Sequence, residues 1–97
     1  MTEKHILDLD AGEAWEPVVI DLARPFKFNG VVYERCTLRV PTGADMELHI
    51  RGKDGVAEVL NLAVALSGWP HVVFQRMTAG DTSTILAAVG ELLAGAR

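Results

Sequence analysis

The sequence predicts an α+β domain, in which an N-terminal β-hairpin is followed by a small bundle of three to four helices. Two observations give this class. Asn29-Gly30 stands between two apolar runs, and this dipeptide is typical of a two-residue type I′ turn, since both turn positions need a positive φ. After Pro41, apolar residues recur at helical spacing. The chain therefore changes from strand to helix near residue 41.

Composition limits what such a domain can do. The 97 residues suit one domain, 49% of them are hydrophobic, and the mean hydropathy is +0.22, so a core can form and leave apolar surface for a partner. The net charge is −4 and no Lys/Arg cluster occurs, which argues against a nucleic-acid partner. No apolar run approaches the roughly 20 residues of a membrane span, and the first residues do not form a signal peptide. The single cysteine excludes an internal disulfide, so we expect a cytoplasmic protein.

The N-terminal segment lacks a sustained period. We expect residues 1–17 to form a partly ordered arm, with Trp15 docked on the hairpin, and residues 18–97 to form a single hairpin-plus-helices domain.

The hairpin register follows from its turn. A two-residue turn pairs Phe28 with Val31 and Phe26 with Tyr33. Unbroken pairing would then place polar residues of one strand opposite apolar residues of the other. A one-residue bulge at Arg24-Pro25 removes this conflict, and Pro25 suits a bulge because it has no N–H to donate. The resulting pairs are Leu22–Cys36, Ile20–Leu38 and Val18–Val40.

The bulge divides the hairpin into two parts. The hairpin base presents one apolar face, made of Val18, Ile20, Leu22, Cys36, Leu38 and Val40. The hairpin tip presents Phe26, Phe28, Val31 and Tyr33 on the opposite face. Two interpretations remain for the tip: helices cover both faces of a curled hairpin, or the tip aromatics bind a partner.

Two Thr-x-x-Asp segments predict helix starts. Thr42 with Asp45 resembles a capping box and opens a short helix through Ile50 that Gly52 would end. Asp54 can cap a second helix, which the Ser67-Gly68-Trp69-Pro70 segment terminates. Its apolar residues at helical spacing are Val56, Val59, Leu60, Ala63 and Leu66.

The C-terminal part repeats the pattern. Residues 71–77 read as one or two helical turns, and Thr78 with Asp81 caps the last helix. The apolar stripe of that helix is Ile85, Leu86, Val89, Leu92 and Leu93. This stripe is either core or, in part, a binding surface.

Catalytic chemistry is not indicated. His5, His49 and His71 are widely spaced, and Cys36 falls on the apolar face of the base, where a cysteine acts as a small hydrophobe. The helix-cap role suffices to explain Asp45 and Asp81. We therefore expect no enzyme activity, no cofactor and no metal.

Several segments resemble a known family. They are VVIDLARPFKFNG, YERCTLRVPTGAD, VAEVLNLAVALSGWP and FQRMTAGDTSTILAAVGELL, together spanning about residues 18–95. This pattern, with Gly30, Tyr33, the segment from Leu38 to Thr42, and Asp45, is similar to the small tail assembly chaperones of contractile-tailed phages, the Mu-like and E-type group.

The resemblance implies a non-enzymatic function. Such proteins bind the long, helical, apolar tape measure protein in the host cytoplasm and keep it soluble until tail tube subunits polymerise around it, and they are absent from the mature virion. The expected partners are therefore the tape measure protein and the tail tube protein. The positive mean hydropathy, the unprotected hairpin edge and the tip aromatics further predict that the free protein associates with copies of itself. The residues expected to bind a partner are Phe26, Phe28, Tyr33, Leu86, Val89 and Leu93.

Two other functions fit the same sequence features. One is a structural tail or head-tail completion protein, which would stay in the particle. The other is a small acidic regulator of a host protein.

Overall fold

The computed structural model describes residues 6–50 and 55–95. Its elements are β1 (Val18–Phe28), β2 (Val31–Leu38), α1 (Gly43–His49), α2 (Gly55–Ser67), α3 (His71–Arg76) and α4 (Ala79–Leu93). The two strands form one antiparallel hairpin, and the helices follow it. The predicted α+β class is confirmed. The predictions for Gly52 and Asp54 fall outside the described residues.

The hairpin turn has the predicted geometry. Asn29 has a φ of 51° and Gly30 a φ of 79°, the positive values that a type I′ turn requires at both positions. Phe28 pairs with Val31 across the turn. The tip register is therefore the predicted one.

The bulge lies at the predicted place but is larger than predicted. Four residues of β1, numbers 22–25, stand between Asp21 and Phe26, whereas β2 has only Glu34 between their partners Arg35 and Tyr33. The offset is three residues, so the prediction of one extra residue is wrong. In the base, Val18 pairs with Leu38 and Ile20 with Cys36, and neither pairs as predicted.

Two physical gains explain the wider bulge. The longer offset sets Asp21 opposite Arg35, and these side chains form an ion pair at 2.9 Å. It also frees the backbone N–H groups of Ala23 and Arg24 from the ladder, and a carboxylate on α4 accepts both of them. The register predicted from the sequence considers only residue pairs between the two strands, so it does not include this carboxylate.

The core lies between the hairpin base and the helices. Leu22, Cys36 and Leu38 are buried, and Val18, Ile20 and Val40 are half-buried against them, so the predicted apolar face of the base is confirmed. The helical side of the core is made of Leu62, Ala63, Leu66, Phe74, Met77, Ile85, Ala88, Val89 and Leu92. A lone hairpin is marginally stable in water, and here α2 and α4 cover one of its faces.

The predicted helix starts at Thr42 and Thr78 are confirmed, whereas α1 and α3 each end one residue earlier than predicted, at His49 and Arg76. Thr42 and Thr78 are the N-cap residues of α1 and α4. Gly68, with a φ of 74°, follows the last residue of α2 in the left-handed conformation that ends many helices. Pro70 then precedes α3, where its missing N–H is of no consequence.

Candidate partner-binding surface

Four aromatic rings form a row from the hairpin tip to the helices. Phe26 stacks on Tyr33, with ring centroids 5.3 Å apart. Tyr33 meets Trp69 edge-on at 5.0 Å, and Trp69 lies 6.0 Å from the buried Phe74. Phe26 and Tyr33 pack against the core, so for these two side chains the structure favours the interpretation in which the helices cover both faces of the hairpin. The bulge accounts for this, because a bulged strand bends and twists more strongly and re-aims the side chains beyond it.

The far end of the tip stays open. Val31 is 49% exposed and stands opposite Phe28, which is half-buried. The guanidinium carbon of Arg76 lies 5.6 Å from the centre of the Phe28 ring, which is a cation–π distance. The tip therefore offers an apolar patch at Phe28 and Val31, bordered by a cation and backed by the half-buried Phe26 and Tyr33.

The three residues expected on the last helix take different positions. Val89 has no exposed surface and belongs to the core, whereas Leu86 and Leu93 are half-buried at its margin. The helix begins beside the bulge, because Asp81 binds backbone groups of β1 there. At 1.5 Å per residue, Leu93 lies about 18 Å further along the helix axis than Asp81. The structure thus gathers the tip aromatics into one cluster and places Leu93 well along α4 from the bulge.

Asp81 has a role that the sequence did not reveal. Its carboxylate accepts hydrogen bonds from the N–H of Ala23 at 2.9 Å and from that of Arg24 at 3.0 Å. Its own N–H donates to the hydroxyl of Thr78 at 3.3 Å, which is the predicted cap. The two β1 amides hold the pKa of Asp81 below its usual range. Asp81 therefore joins α4 to the hairpin where the base ends and the tip begins.

Asp45 closes a local network instead. Its carboxylate accepts two hydrogen bonds from Arg39, at 2.8 and 2.7 Å, and one from the N–H of Thr42 at 2.8 Å. The Thr42 hydroxyl also donates to it at 3.2 Å. The hydrogen bonds from Arg39 hold the pKa of Asp45 well below its usual range, and the hydrogen bond from the Thr42 N–H is the next largest cause. The predicted hydrogen bond between the Asp45 carboxylate and its N-cap residue Thr42 is confirmed.

Two surface clefts flank these networks. An open cleft of about 610 Å³ lies at the bulge, lined by Ala23, Arg24, Thr78, Gly80, Asp81 and Thr84. The polar groups of Thr78, Asp81 and Thr84 that line it are already hydrogen-bonded within the chain. A groove of about 270 Å³ lies at the other end of the hairpin, lined by Leu9, Glu13, Ala14, Trp15, Arg39, Val40 and Thr42. Trp15 thus lies beside the base, as predicted, and is 51% exposed.

The described residues contain no group of three His, Cys, Asp or Glu side chains that could hold a metal ion. Among them, no helix is both long enough and apolar enough to span a bilayer. Cys36 is fully buried, as predicted, and burial raises its pKa to about 11, so it stays a protonated thiol at neutral pH.

Sequence reasoning missed three residues of the tip region. The sequence predicts only a cap role for Asp81, because nothing near it in sequence points to the strand 57 residues away. It predicts Trp69 only as part of a helix end, although a large aromatic side chain in a short connection needs an apolar neighbour. Arg76 gave no signal, since its contact with Phe28 exists only in the folded chain.

The family model of phage tail assembly chaperone proteins, E, or 41 or 14, matches residues 19–94. The match runs from the second residue of β1 to the residue after α4. The chain therefore belongs to the family of phage tail assembly chaperones, which is not a family of enzymes. No curated protein and no solved structure matches the chain.

Proposed function

We propose that this chaperone binds the tape measure protein of its phage through the hairpin tip. It keeps that protein soluble in the host cytoplasm until the tail tube assembles around it, and it is not part of the mature virion. The tail tube protein, which replaces the chaperone on the tape measure, is a second partner. The observation that carries the proposal is the tip itself, a cluster of half-buried aromatics with an open apolar patch.

The tip suits an apolar helical ligand. Aromatic side chains that are already fixed by neighbours anchor interfaces at low entropic cost, and Phe26 and Tyr33 are fixed by stacking and by Trp69. Phe28 and Val31 then supply the surface that a partner can bury. A tape measure segment exposes the apolar helix face that such a surface accepts.

The proposed surface extends along α4 through Leu86 and Leu93, whose margins remain open. Val89 is buried and supports this surface indirectly, because it belongs to the core against which Leu86 and Leu93 pack. The distance of about 18 Å from Asp81 to Leu93 matches about 12 residues of a partner helix. We propose that residues 18–97 form the binding unit, with residues 1–17 as an arm outside it.

Two matched valine substitutions test the surface. Val31 at the tip and Val19 in the base are both strand residues, 49% and 55% exposed. Val31→Glu places a charge in the proposed contact, whereas Val19→Glu places the same charge on the side of the base away from the core. When each variant is co-expressed with the tape measure protein, we expect that protein in the soluble fraction with wild type and Val19→Glu. With Val31→Glu we expect it in the pellet.

Thermal melting of the free variants serves as the control for folding. A Val31→Glu protein that melts like wild type and still keeps the tape measure protein soluble contradicts the proposed surface. Val31 is a better probe than Tyr33, because truncating Tyr33 would also remove the contact with Trp69. Mass spectrometry of purified virions checks the other part of the proposal: we expect none of this chain, and a stoichiometric amount would indicate a structural tail protein.

A further inference from the structure

Unpaired positive charge collects at the tip half of the hairpin. In the described ranges, Arg35 and Arg39 form ion pairs at the base, with Asp21 and Asp45. The remaining described cations are Arg24 in the bulge, Lys27 in the tip and Arg76 against Phe28, and none of them forms an ion pair within the described residues. Arg24 also helps to lower the pKa of the nearby Asp81, and Glu34 is the exposed acidic residue of this half. Arg76 borders the open apolar patch at Phe28, Lys27 follows the same strand but pairs with Val32 on the other face of the ribbon, and Arg24 lies in the bulge.

The arm carries the opposite charge at the other end of the hairpin. Residues 6–17 contain four acidic side chains and no Lys or Arg: Asp8, Asp10, Glu13 and Glu16. Three apolar residues of the same segment are largely exposed, namely Ile6 at 83%, Leu9 at 64% and Trp15 at 51%. We call this segment the acidic arm. It lies beside the base, where Leu9 and Trp15 line the groove next to Val40.

In the described fold the acidic arm and the cationic tip of one chain do not meet. The eleven residues of β1 separate them by roughly 30 Å at about 3.3 Å per residue, whereas salt at physiological strength screens charges beyond about 8 Å. Trp15 precedes β1 by three residues, so it can move at most about 10 Å from Val18. With the arm held beside the base in this way, an exposed apolar arm and an exposed apolar tip of opposite charge can complement each other between two chains.

We propose that two copies of this chain associate side by side with antiparallel hairpins, so that the acidic arm of each binds the cationic tip of the other. A two-fold axis produces this contact twice, because the acidic arm of each copy then faces the cationic tip of the other. Leu9 and Trp15 then bury apolar surface against Val31 and Phe28, while carboxylates face Arg76 beside this patch and approach Lys27 at the edge of the ribbon. Such a dimer covers the tip, so a tape measure segment would compete with the second copy. That consequence rests on the proposed function, whereas the dimer does not.

Charge-swapped variants test the dimer without any other partner. Asp10→Lys with Glu16→Lys reverses the arm but spares Asp8 and Glu13, which hold the arm turn through hydrogen bonds. Lys27→Glu with Arg76→Glu reverses the tip but spares Arg24, whose amide binds Asp81. By sedimentation equilibrium we expect wild type to have twice the 10.5 kDa chain mass, and each variant alone to be monomeric. An equimolar mixture of the two variants should restore the dimer, because each arm then meets a tip of opposite charge.

The control exchanges a charge pair outside both patches. Asp21→Arg with Arg35→Asp swaps an exposed ion pair of the base and should leave the dimer unchanged. In 1 M salt, where the Debye length falls to about 3 Å, the dissociation constant of wild type should rise at least tenfold. Wild type that stays monomeric, a mass above two chains, or folded variants that stay monomeric when mixed would each overturn the proposal. If a charge-reversed variant does not fold, Glu16→Gln and Lys27→Gln are measured in its place. If neither change raises the dissociation constant of the dimer, the proposal is likewise overturned.

Discussion

The two Thr-x-x-Asp motifs of this chain are alike in sequence and different in what they hold together. At α1, Asp45 binds its own N-cap residue Thr42 and the nearby Arg39, all within six residues. At α4, Asp81 binds β1 amides 57 and 58 residues away, while Thr78 caps the helix. One motif therefore stabilises a local turn, and the other fixes the hairpin on the helices.

The difference shows what a helix cap can do beyond its helix. A carboxylate at the third helical position has oxygen lone pairs left over after local capping. In Asp45 these lone pairs accept hydrogen bonds from Arg39, whose side chain is half exposed to water. Asp81 uses them on two backbone donors that the bulge has removed from the ladder, so the wide bulge and the last helix depend on each other. The hairpin tip begins at this junction.

The largest expected difference comes from removing each carboxylate. Asp81→Ala leaves the N–H groups of Ala23 and Arg24 without a partner, and should lower the melting temperature by about 10 °C. Asp45→Ala removes a cap and an ion pair whose Arg39 side chain is half exposed to water, and should lower it by less than half as much. Circular dichroism melts of the two variants measure both losses. Equal losses would mean that Asp81 is only a cap.

A smaller effect is expected from acid. The folded pKa of Asp81 lies below its unfolded value of about 3.9, so its contribution is present above pH 4 and is lost as the pH falls through the folded pKa. Stability of wild type should therefore decrease steadily from pH 5 towards pH 2. Asp81→Asn, which keeps one acceptor but no charge, should show a shallower decrease in urea titrations at each pH. The same slope in both proteins would contradict this assignment.

The smallest effect is expected at the two threonines. Thr78→Ala removes the hydroxyl that accepts the Asp81 N–H and should cost about 1 kcal/mol. Thr42→Ala should cost less, because the Thr42 N–H keeps its bond to Asp45 and only the weaker hydroxyl bond at 3.2 Å is lost. Chemical denaturation of both variants gives the comparison. A larger loss at Thr42 would reverse the distinction between the motifs.

Much of the fold could be predicted because its signals are local. Asn29-Gly30 determines the turn, Pro25 marks the bulge, and each threonine cap marks a helix start. The size of the bulge could not be predicted, since it depends on Asp81, whose bond to β1 appears only when α4 packs on the hairpin. The tip aromatics were identified as a cluster, but Trp69 lies after α2 and its contact with Tyr33 is likewise a product of packing.

Hydrogen exchange at the amides of Ala23 and Arg24 tests whether Asp81 joins α4 to the bulge of the hairpin. These amides have no strand partner, and the structure gives each a single acceptor, the carboxylate of Asp81. We expect both to exchange as slowly as the ladder amides of β1 in wild type, and we expect Asp81→Ala to make them fast while the Thr42 amide stays protected. Fast exchange of Ala23 and Arg24 in the wild-type protein, at the rate of an open loop, would contradict it.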